Sequence, residues 1–145
     1  MTYRSLAYDQ IAPGDTDSLD LLITDESVRD FARLVGDSNP VHLDEEFAAK
    51  SFFRRRVAHG MLAAGLISAV LGTRLPGPGA IYLTQELEFK RPVFIGDTLT
   101  AKVEVLEKHD RHKKIKLRTW VENQDGQIIL DGSATVLVRG ATSAA

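Results

Sequence analysis

Six residues, Asp37-Ser-Asn-Pro-Val-His42, carry the side chains of this chain that are best suited to acid–base chemistry. They place a carboxylate and an imidazole five positions apart. Pro40 lacks an amide hydrogen and biases Asn39 towards extended conformations, so we expect a turn or an irregular loop and no helix here. Such a loop can aim Asp37 and His42 at one water molecule, with a base on one side and a hydrogen-bonding group on the other.

A second group of interest is His59-Gly60-Met61, which opens the longest apolar run of the chain. The run from Met61 to Leu71 contains no charged residue, and its alanine and leucine content favours a helix. Free backbone N–H groups at the start of such a helix would stabilise a developing negative charge. A proton-transfer pair followed by this helix start predicts addition of water to an activated carbonyl compound, or its removal.

Two elements are expected to position the loop. Alternation of apolar and polar residues over 19–24 predicts a first strand. Thr24 can then cap a helix that ends at Gly36 in the left-handed conformation. Four residues at helical spacing form its apolar face: Val28, Phe31, Ala32 and Val35. Asp44 predicts the start of a further short helix through Phe47 and Ala48.

The remainder of the chain predicts a sheet. Alternating patterns at 81–89, 98–105 and 115–122 predict half-buried strands, and Asn123-Gln-Asp-Gly126 predicts a hairpin turn into a last strand near 128–138. A helix that is apolar on every side has to be buried all round. We therefore expect an α+β fold, in which a curved antiparallel sheet wraps around a long apolar central helix.

Length and composition narrow the class of protein. The 145 residues predict a single domain over 1–145, with a core at about 18–139 and a flexible tail at 140–145. A net charge of −2 offers no electrostatic argument for binding nucleic acid or a membrane surface. The absence of cysteine excludes disulfides and thiolate chemistry and fits a reducing compartment. The N-terminal residues lack the apolar core of a signal peptide, so we expect a cytoplasmic protein.

Three blocks of the chain resemble the MaoC-like, (R)-specific enoyl-CoA hydratases, and the resemblance extends over roughly residues 20–138. The blocks are Asp37–Asp44, Val57–Leu62 and Ile81–Phe89 with Pro92–Asp97. The short, single-domain members of that family feed polyhydroxyalkanoate synthesis from fatty-acid β-oxidation. The resemblance implies a hot-dog fold and reversible hydration of trans-2-enoyl-CoA to (R)-3-hydroxyacyl-CoA.

The resemblance also implies roles for individual residues. Asp37 would be the general base that takes a proton from water, and His42 would hold the same water. Asn39 would brace the loop, and the backbone N–H of Gly60 would receive the thioester oxygen. No metal or other cofactor is expected, since coenzyme A is part of the substrate, and a homodimer is the expected assembly.

Further polar residues have a structural alternative beside the functional one. His59 is expected to hydrogen-bond locally and to fix the loop before the helix. Gln85 lies on the apolar face of its predicted strand, where a buried amide needs partners, and we expect it to bond to the loop or to its water. Five basic residues either contact the phosphates of coenzyme A or are simply solvated: Arg54, Arg55, Arg56, Lys90 and Arg91. His42, Asp44 and His59 lack a recognised metal-ligand spacing.

Three alternatives to a hydratase remain open. A dehydratase that acts on carrier-protein thioesters would use the same pair of residues in reverse. A hot-dog thioesterase usually has a carboxylate on or beside the central helix, and Met61–Thr73 has none. A non-catalytic subunit that binds acyl-CoA would not need Asp37 or His42. Gly65 stands where short hydratases often have serine, and it could widen the acyl pocket.

Overall fold

The computed structural model describes residues 2–139, so the tail predicted at 140–145 lies outside the described part. A single 3₁₀ turn at Tyr8–Gln10 precedes the main elements. In chain order these are β1 (Thr16–Leu22), α1 (Asp25–Val35), α2 (Pro40–Leu43), α3 (Glu45–Ala49), α4 (Gly60–Thr73), β2 (Ile81–Phe89), β3 (Thr98–His109), β4 (Lys114–Glu122) and β5 (Ile128–Leu137). Among residues 2–139, no helix is long and apolar enough to cross a membrane.

The five strands form one antiparallel sheet in the order β1-β3-β4-β5-β2, and α4 packs against it. This is the predicted α+β architecture, a hot-dog fold with α4 as its central helix. The buried side chains of α4 that form the core are Ala63, Ala64, Leu66, Ile67, Val70 and Leu71. They meet the apolar faces of the central strands, so the sheet and the helix share one hydrophobic core.

Alternation along the central strands matches the sequence pattern. Leu99, Ala101 and Val103 of β3 are fully buried, and the intervening residues are at least partly exposed. The same alternation holds on β4, where Ile115 and Leu117 are fully buried. Each fully buried aliphatic side chain of this size contributes about 1.5–3 kcal/mol relative to the exposed state. Helix α4 lies closest to β3, with β1 and β4 as its next neighbours in the sheet.

Burial is incomplete on one side of the core, where two sequence predictions are wrong. Helix α4 is not covered all round, because Met61, Gly65, Ser68 and Gly72 form an exposed stripe at successive turns. Strand β2 is not half-buried as its pattern predicts, since Ile81 and Leu83 are both more than 40% exposed. The physical reason is position: β2 is an edge strand with β5 as its neighbour on one side.

Helix α1 starts and ends as the sequence predicts. Thr24 Oγ1 accepts a hydrogen bond from the Ser27 N–H at 3.0 Å, which satisfies one free donor of the first turn. Gly36 adopts φ 82° and donates its N–H to the Ala32 carbonyl at 2.9 Å. A left-handed residue at this point suits glycine, and it turns the chain directly into Asp37.

Candidate active site

The segment that carries Asp37 and His42 is partly helical, contrary to the sequence prediction. Residues 37–39 form the expected turn, but Pro40–Leu43 is a short helix, α2, with Pro40 in its first turn. Proline is well tolerated there because the first helical N–H has no intrahelical partner to lose. Asn39 caps this helix, since its Oδ1 accepts a hydrogen bond from the Val41 N–H at 3.2 Å. Asp37 Oδ1 accepts from the Asn39 N–H at 3.3 Å, so both side chains brace the turn.

His42 is buried, with 9% of its surface exposed, and its orientation is fixed by a backbone carbonyl. Its Nδ1 donates a hydrogen bond to the Val57 carbonyl oxygen at 2.7 Å. Because the carbonyl can only accept, Nδ1 carries the proton and Nε2 of the neutral ring has a free lone pair. Burial lowers the pKa of His42 from 6.5, as does the neighbouring His59, while the Val57 carbonyl and Asp37 act in the opposite direction. The neutral ring is therefore favoured.

His59 lies directly under the Asp37 turn. Its ring stacks on the His42 ring, with 3.7 Å between centroids, and contacts the Phe31 ring at 4.8 Å on another side. Its Nε2 donates to the main-chain carbonyl of Asp37 at 2.9 Å. The local hydrogen bond predicted for His59 thus forms, and it reaches back 22 residues to hold the Asp37 turn. The buried Nδ1 of His59 has no hydrogen-bond partner among residues 2–139.

One group of side chains in the described part of the chain has donor atoms close enough to hold a cation. It consists of Asp37, His42 and His59, whose donor atoms all lie within 4.8 Å of one another. It differs from the set of His42, Asp44 and His59, whose sequence spacing matches no recognised metal site. Nδ1 of His42 and Nε2 of His59 are already engaged by carbonyl oxygens. The expectation that the chemistry needs no metal stays a prediction.

A cavity of about 510 Å³ opens beside His42 and the start of α4. Gly60 is the first residue of α4, so its N–H has no acceptor within the helix. A Cβ added at Gly60 would lie 2.8 Å from two carbon atoms of the Phe89 ring, so glycine permits this close contact. The residues that line the cavity are Asn39, Val41, His42, Phe52, Phe53, Val57, Ala58, Gly60, Phe89, Lys90, Arg91, Pro92, Val93 and Ile129.

A second cavity, of about 390 Å³, follows along the same two elements, α4 and β2. Gly65 and Ser68 of the exposed stripe on α4 contribute to its walls, and no heavy atom lies within 4 Å of a Cβ built on Gly65. Its lining is Met61, Ala64, Gly65, Ser68, Tyr82, Leu83, Thr84, Gln85 and Leu87. The lining is mostly apolar and therefore suits an aliphatic chain.

Gln85 is satisfied inside the sheet, which corrects the expectation that it bonds to the loop. Its Nε2 donates to Thr119 Oγ1 at 2.8 Å and to the Ser133 carbonyl at 3.1 Å, and its Oε1 accepts from the Tyr82 hydroxyl. Thr119 is fully buried, so the amide gives a polar core residue its partner. These bonds join β2 to β4 and β5 at the wall of the second cavity.

The five basic residues differ in their surroundings. Arg56 is 8% exposed and is bonded to the His42 carbonyl and to Asp25, which argues against a contact with coenzyme A phosphates. The Arg55 guanidinium stacks on the Phe94 ring at 3.6 Å, and Arg54 is exposed with φ 67°. Lys90 and Arg91 line the first cavity, where Lys90 also pairs with Glu88 at 3.2 Å.

Sequence reasoning did not predict the roles of three groups in this site. The Val57 carbonyl orients His42, but a backbone acceptor has no side-chain signal in a sequence. Phe89 contacts Gly60 and belongs to the edge strand, where its predicted inward position gave no reason to place it at the cavity. Arg56 stood in a run of three arginines, and only its burial distinguishes it from Arg54 and Arg55.

The comparisons with known proteins agree with this fold. The family model described as "MaoC like domain" matches residues 12–127. A 3-hydroxybutyryl-CoA dehydratase from Methylorubrum extorquens is 47% identical over 135 residues, which cover 93% of this chain and 85% of the relative. An (R)-specific enoyl-CoA hydratase from Rhodospirillum rubrum is 47% identical over 131 residues, which cover 90% of each chain. The unliganded R-hydratase of Pseudomonas aeruginosa superposes with a TM-score of 0.88 at 41% identity, over 92% of this chain and 86% of that one.

A curved antiparallel sheet around a central helix defines a hot-dog fold. This chain belongs to the MaoC-like domain family.

Proposed function

We propose that this protein is an (R)-specific enoyl-CoA hydratase, a hydro-lyase that adds water reversibly to trans-2-enoyl-CoA. The observation that carries the proposal is the orientation of His42. Its Nδ1 is bound by the Val57 carbonyl, so Nε2 keeps its lone pair, and the ring lines a cavity whose wall includes Gly60. A ring nitrogen of His42 also lies within 4.8 Å of an Asp37 carboxylate oxygen. The names of the relatives support the same reaction for this chain.

In the proposed reaction, Asp37 and His42 hold one water molecule between them. The water oxygen bonds to C3 of the enoyl thioester while the Asp37 carboxylate takes one of its protons. The electron pair of the double bond moves towards the thioester oxygen, which accepts a hydrogen bond from the Gly60 N–H at the positive end of α4. The proton taken by Asp37 is then returned to C2 with the help of His42, which completes the (R)-3-hydroxyacyl-CoA and restores the Asp37 carboxylate, and the reverse sequence releases water.

Each of these groups has a typical contribution to the rate. A positioned general base contributes roughly 10²–10⁴-fold, and one oxyanion donor roughly 10²–10³-fold. Neither contribution requires a metal or a redox cofactor. We propose accordingly that the reaction uses no cofactor and that coenzyme A takes part only as a portion of the substrate.

The surroundings of the two cavities support an acyl-CoA substrate. Lys90 and Arg91 at the first cavity, with Arg55 nearby on Phe94, offer positive charge for the phosphates of coenzyme A. The second, mostly apolar cavity would take the acyl chain. A cytoplasmic role in fatty-acid metabolism, with supply of (R)-3-hydroxyacyl-CoA for polyhydroxyalkanoate synthesis, is the context that we propose.

We also propose a homodimer. The free edge of β2 and the exposed stripe of α4 form one apolar surface, which includes Met61, Ile81, Tyr82 and Leu83. Unpaired strand edges and apolar patches of this kind are usually covered by another chain, and a two-fold axis lets the same patch cover itself.

The test is hydration of crotonyl-CoA, which is monitored as loss of the enoyl absorbance. The stereochemistry of the product is determined as well. We expect the (R)-alcohol from the wild-type protein and a loss of roughly 10²–10⁴-fold in kcat for Asp37→Asn. Asp37 is exposed, so the variant should fold normally, and Asp44→Asn on the α3 cap is a matched control with near-normal kcat.

Other outcomes would favour the alternatives. Release of free thiol would identify a thioesterase. Activity restricted to carrier-protein thioesters would identify a dehydratase of fatty-acid synthesis. Tight binding of acyl-CoA without turnover would identify a non-catalytic subunit.

A further inference from the structure

Arg56 is a charged side chain buried directly behind the candidate catalytic pair. Its side chain is 8% exposed, and its Nε donates a hydrogen bond to the main-chain carbonyl of His42 at 2.7 Å. Its Nη2 lies 2.7 Å from Asp25 Oδ1, and its Nη1 lies 3.9 Å from Glu45 Oε1. One guanidinium therefore connects the N-terminal turn of α1, the last turn of α2 and the first turn of α3.

The location of this arginine has an energetic cost that calls for an explanation. A buried charge needs both a counter-ion and hydrogen bonds to offset its lost hydration. Asp25 supplies the counter-ion, and Arg56 is the largest cause of the lowered pKa of the Asp25 carboxyl. Asp25 is itself about half exposed and already has Arg29 as an ion-pair partner at 3.0 Å. The ion pair alone thus gives no reason to bury a second arginine.

The contact with His42 supplies that reason, because Arg56 completes a set of three bonds between two short segments. The Val57 N–H donates to the Val41 carbonyl at 3.3 Å, and His42 Nδ1 donates to the Val57 carbonyl at 2.7 Å. Arg56 Nε closes the set on the His42 carbonyl. Segment 56–57 therefore holds both the backbone and the ring of His42. The Ala58 N–H fixes the far end of this segment by donating to the Val93 carbonyl at 2.7 Å.

We propose that Arg56 is a positioning residue that keeps the His42 ring in its Nδ1–H tautomer. Arg56 does not touch the reacting atoms. It fixes the distance between the His42 backbone and the Val57 carbonyl, and that carbonyl determines which ring nitrogen carries the proton. The inference rests on the proposed role of His42 Nε2 at the reacting water, and it deepens that role.

Loss of Arg56 should change both the tautomer of the His42 ring and the rate of the reaction. Without the bond to the His42 carbonyl, segments 41–42 and 56–57 can separate, and the Nδ1 bond lengthens. The Nε2–H tautomer then becomes populated, and it presents a donor where the reaction needs an acceptor. Misplacement of a catalytic group by about 1 Å can cost up to roughly 10²-fold in rate.

The experiment compares Arg56→Met with Arg29→Met as a matched control. Arg29 binds the same carboxylate, and its other contact is a long bond of 3.4 Å to the Leu43 carbonyl, so its loss leaves His42 held. The tautomer of His42 is measured by ¹⁵N NMR of the histidine rings, with His42→Gln for assignment. Turnover of crotonyl-CoA gives kcat and KM, and thermal unfolding verifies the folded state at the assay temperature.

We expect Arg56→Met to show a mixed His42 tautomer and a kcat reduced by roughly 10–100-fold, with KM within about threefold of the wild type. Arg29→Met should keep the wild-type tautomer and kcat within about twofold. If Arg56→Met does not fold, Arg56→Lys serves instead. A lysine amine that pairs with Asp25 leaves the His42 carbonyl without its donor, so a mixed tautomer is again expected.

A folded Arg56 variant with a pure Nδ1–H tautomer and wild-type kcat would overturn the inference. Because the tautomer is read without substrate, it separates this inference from the proposed function. A wild-type protein without hydratase activity would refute the function, while the NMR comparison would still decide whether Arg56 positions His42.

Discussion

At the scale of single residues, the site depends on two carbonyl oxygens as much as on its named side chains. The Val57 carbonyl fixes the tautomer of His42, and the Asp37 carbonyl does the same for His59. In both rings the engaged nitrogen must be the protonated one, because a carbonyl cannot donate. The His42 ring, which lines the first cavity, therefore keeps Nε2 as its hydrogen-bond acceptor.

The lowered pKa of His42 predicts the pH dependence of both activity and stability. Activity that needs the neutral ring should persist below pH 6.5 and be lost at a lower pH, where His42 protonates. The unfolded chain binds the proton more readily than the folded one. Stability is therefore full above about pH 6.5 and falls as the pH drops from there towards the folded-state pKa.

Chemical denaturation between pH 8 and pH 5, together with the pH profile of kcat, measures these two effects. His42→Gln should remove most of this loss of stability. If His42→Gln loses as much stability as the wild type between pH 8 and pH 5, another group titrates. Activity that already falls with pH above 6.5 would contradict the direction of the pKa shift.

Gly60 allows a second test at this scale. In Gly60→Ala the new methyl would lie 2.8 Å from the Phe89 ring, so the ring must shift within the wall of the first cavity. We expect kcat to fall roughly 10–100-fold, because the ring and the helix start are displaced from each other. The double variant Gly60→Ala/Phe89→Leu, measured in the same assay, should recover much of the loss. If the double variant does not recover, the loss arises from the backbone at residue 60 and not from the contact with Phe89.

At the scale of elements, the site is assembled where α2 and the start of α4 meet. Helix α1 ends at its Gly36 cap, and the Asp37 turn starts directly after it. Helix α4 contributes Gly60 from its first turn. The exposed stripe on α4 leaves space beside β2, and that space is the second cavity. Substrate length should therefore be determined by side chains on these two elements.

Gly65 is the position on α4 where this can be tested. Nothing lies within 4 Å of its built Cβ, so Gly65→Val should fold and place its side chain in the second cavity. We expect kcat/KM for medium-chain enoyl-CoA to fall at least tenfold while that for crotonyl-CoA changes less than threefold. The substrate series from C4 to C10 measures this, with Gly72→Ala, which lies outside this cavity's lining, as control. A uniform change across the series would place the acyl chain elsewhere.

At the scale of the whole molecule, the sheet has two edges, β1 and β2, and only the second combines an edge with a large apolar surface. Leu83 is 43% exposed on that surface. In Leu83→Glu a charge would be buried in the proposed interface without a partner, so we expect the dimer to dissociate at micromolar concentration. Sedimentation velocity measures the change.

Leu34→Glu is the matched control for this variant, because Leu34 is 84% exposed on α1, away from β2. It should leave the oligomeric state unchanged. A wild-type protein that sediments as a monomer, or a Leu83→Glu variant that remains dimeric, would exclude this surface as the interface.

The fold and much of the site follow from the sequence for local physical reasons. The cap at Thr24, the left-handed Gly36 and the alternation along β3 and β4 are each determined within a few residues, and all three are confirmed. The types and spacing of Asp37 and His42 are the basis of the chemistry that we propose for them. The short helix at Pro40 was missed because a proline at the first helical position resembles a helix breaker.

The sequence by itself determined which elements form, which residues can carry the chemistry and which family the chain belongs to, because capping, periodicity and motif spacing are local properties. Only the tertiary structure decided that His59 stacks under His42, that Gln85 bonds within the sheet and that Arg56 holds the His42 backbone while Arg54 and Arg55 stay exposed. It alone decided that one side of α4 and β2 is left uncovered. These contacts join residues far apart in the chain, and their partners are often backbone atoms that every residue possesses.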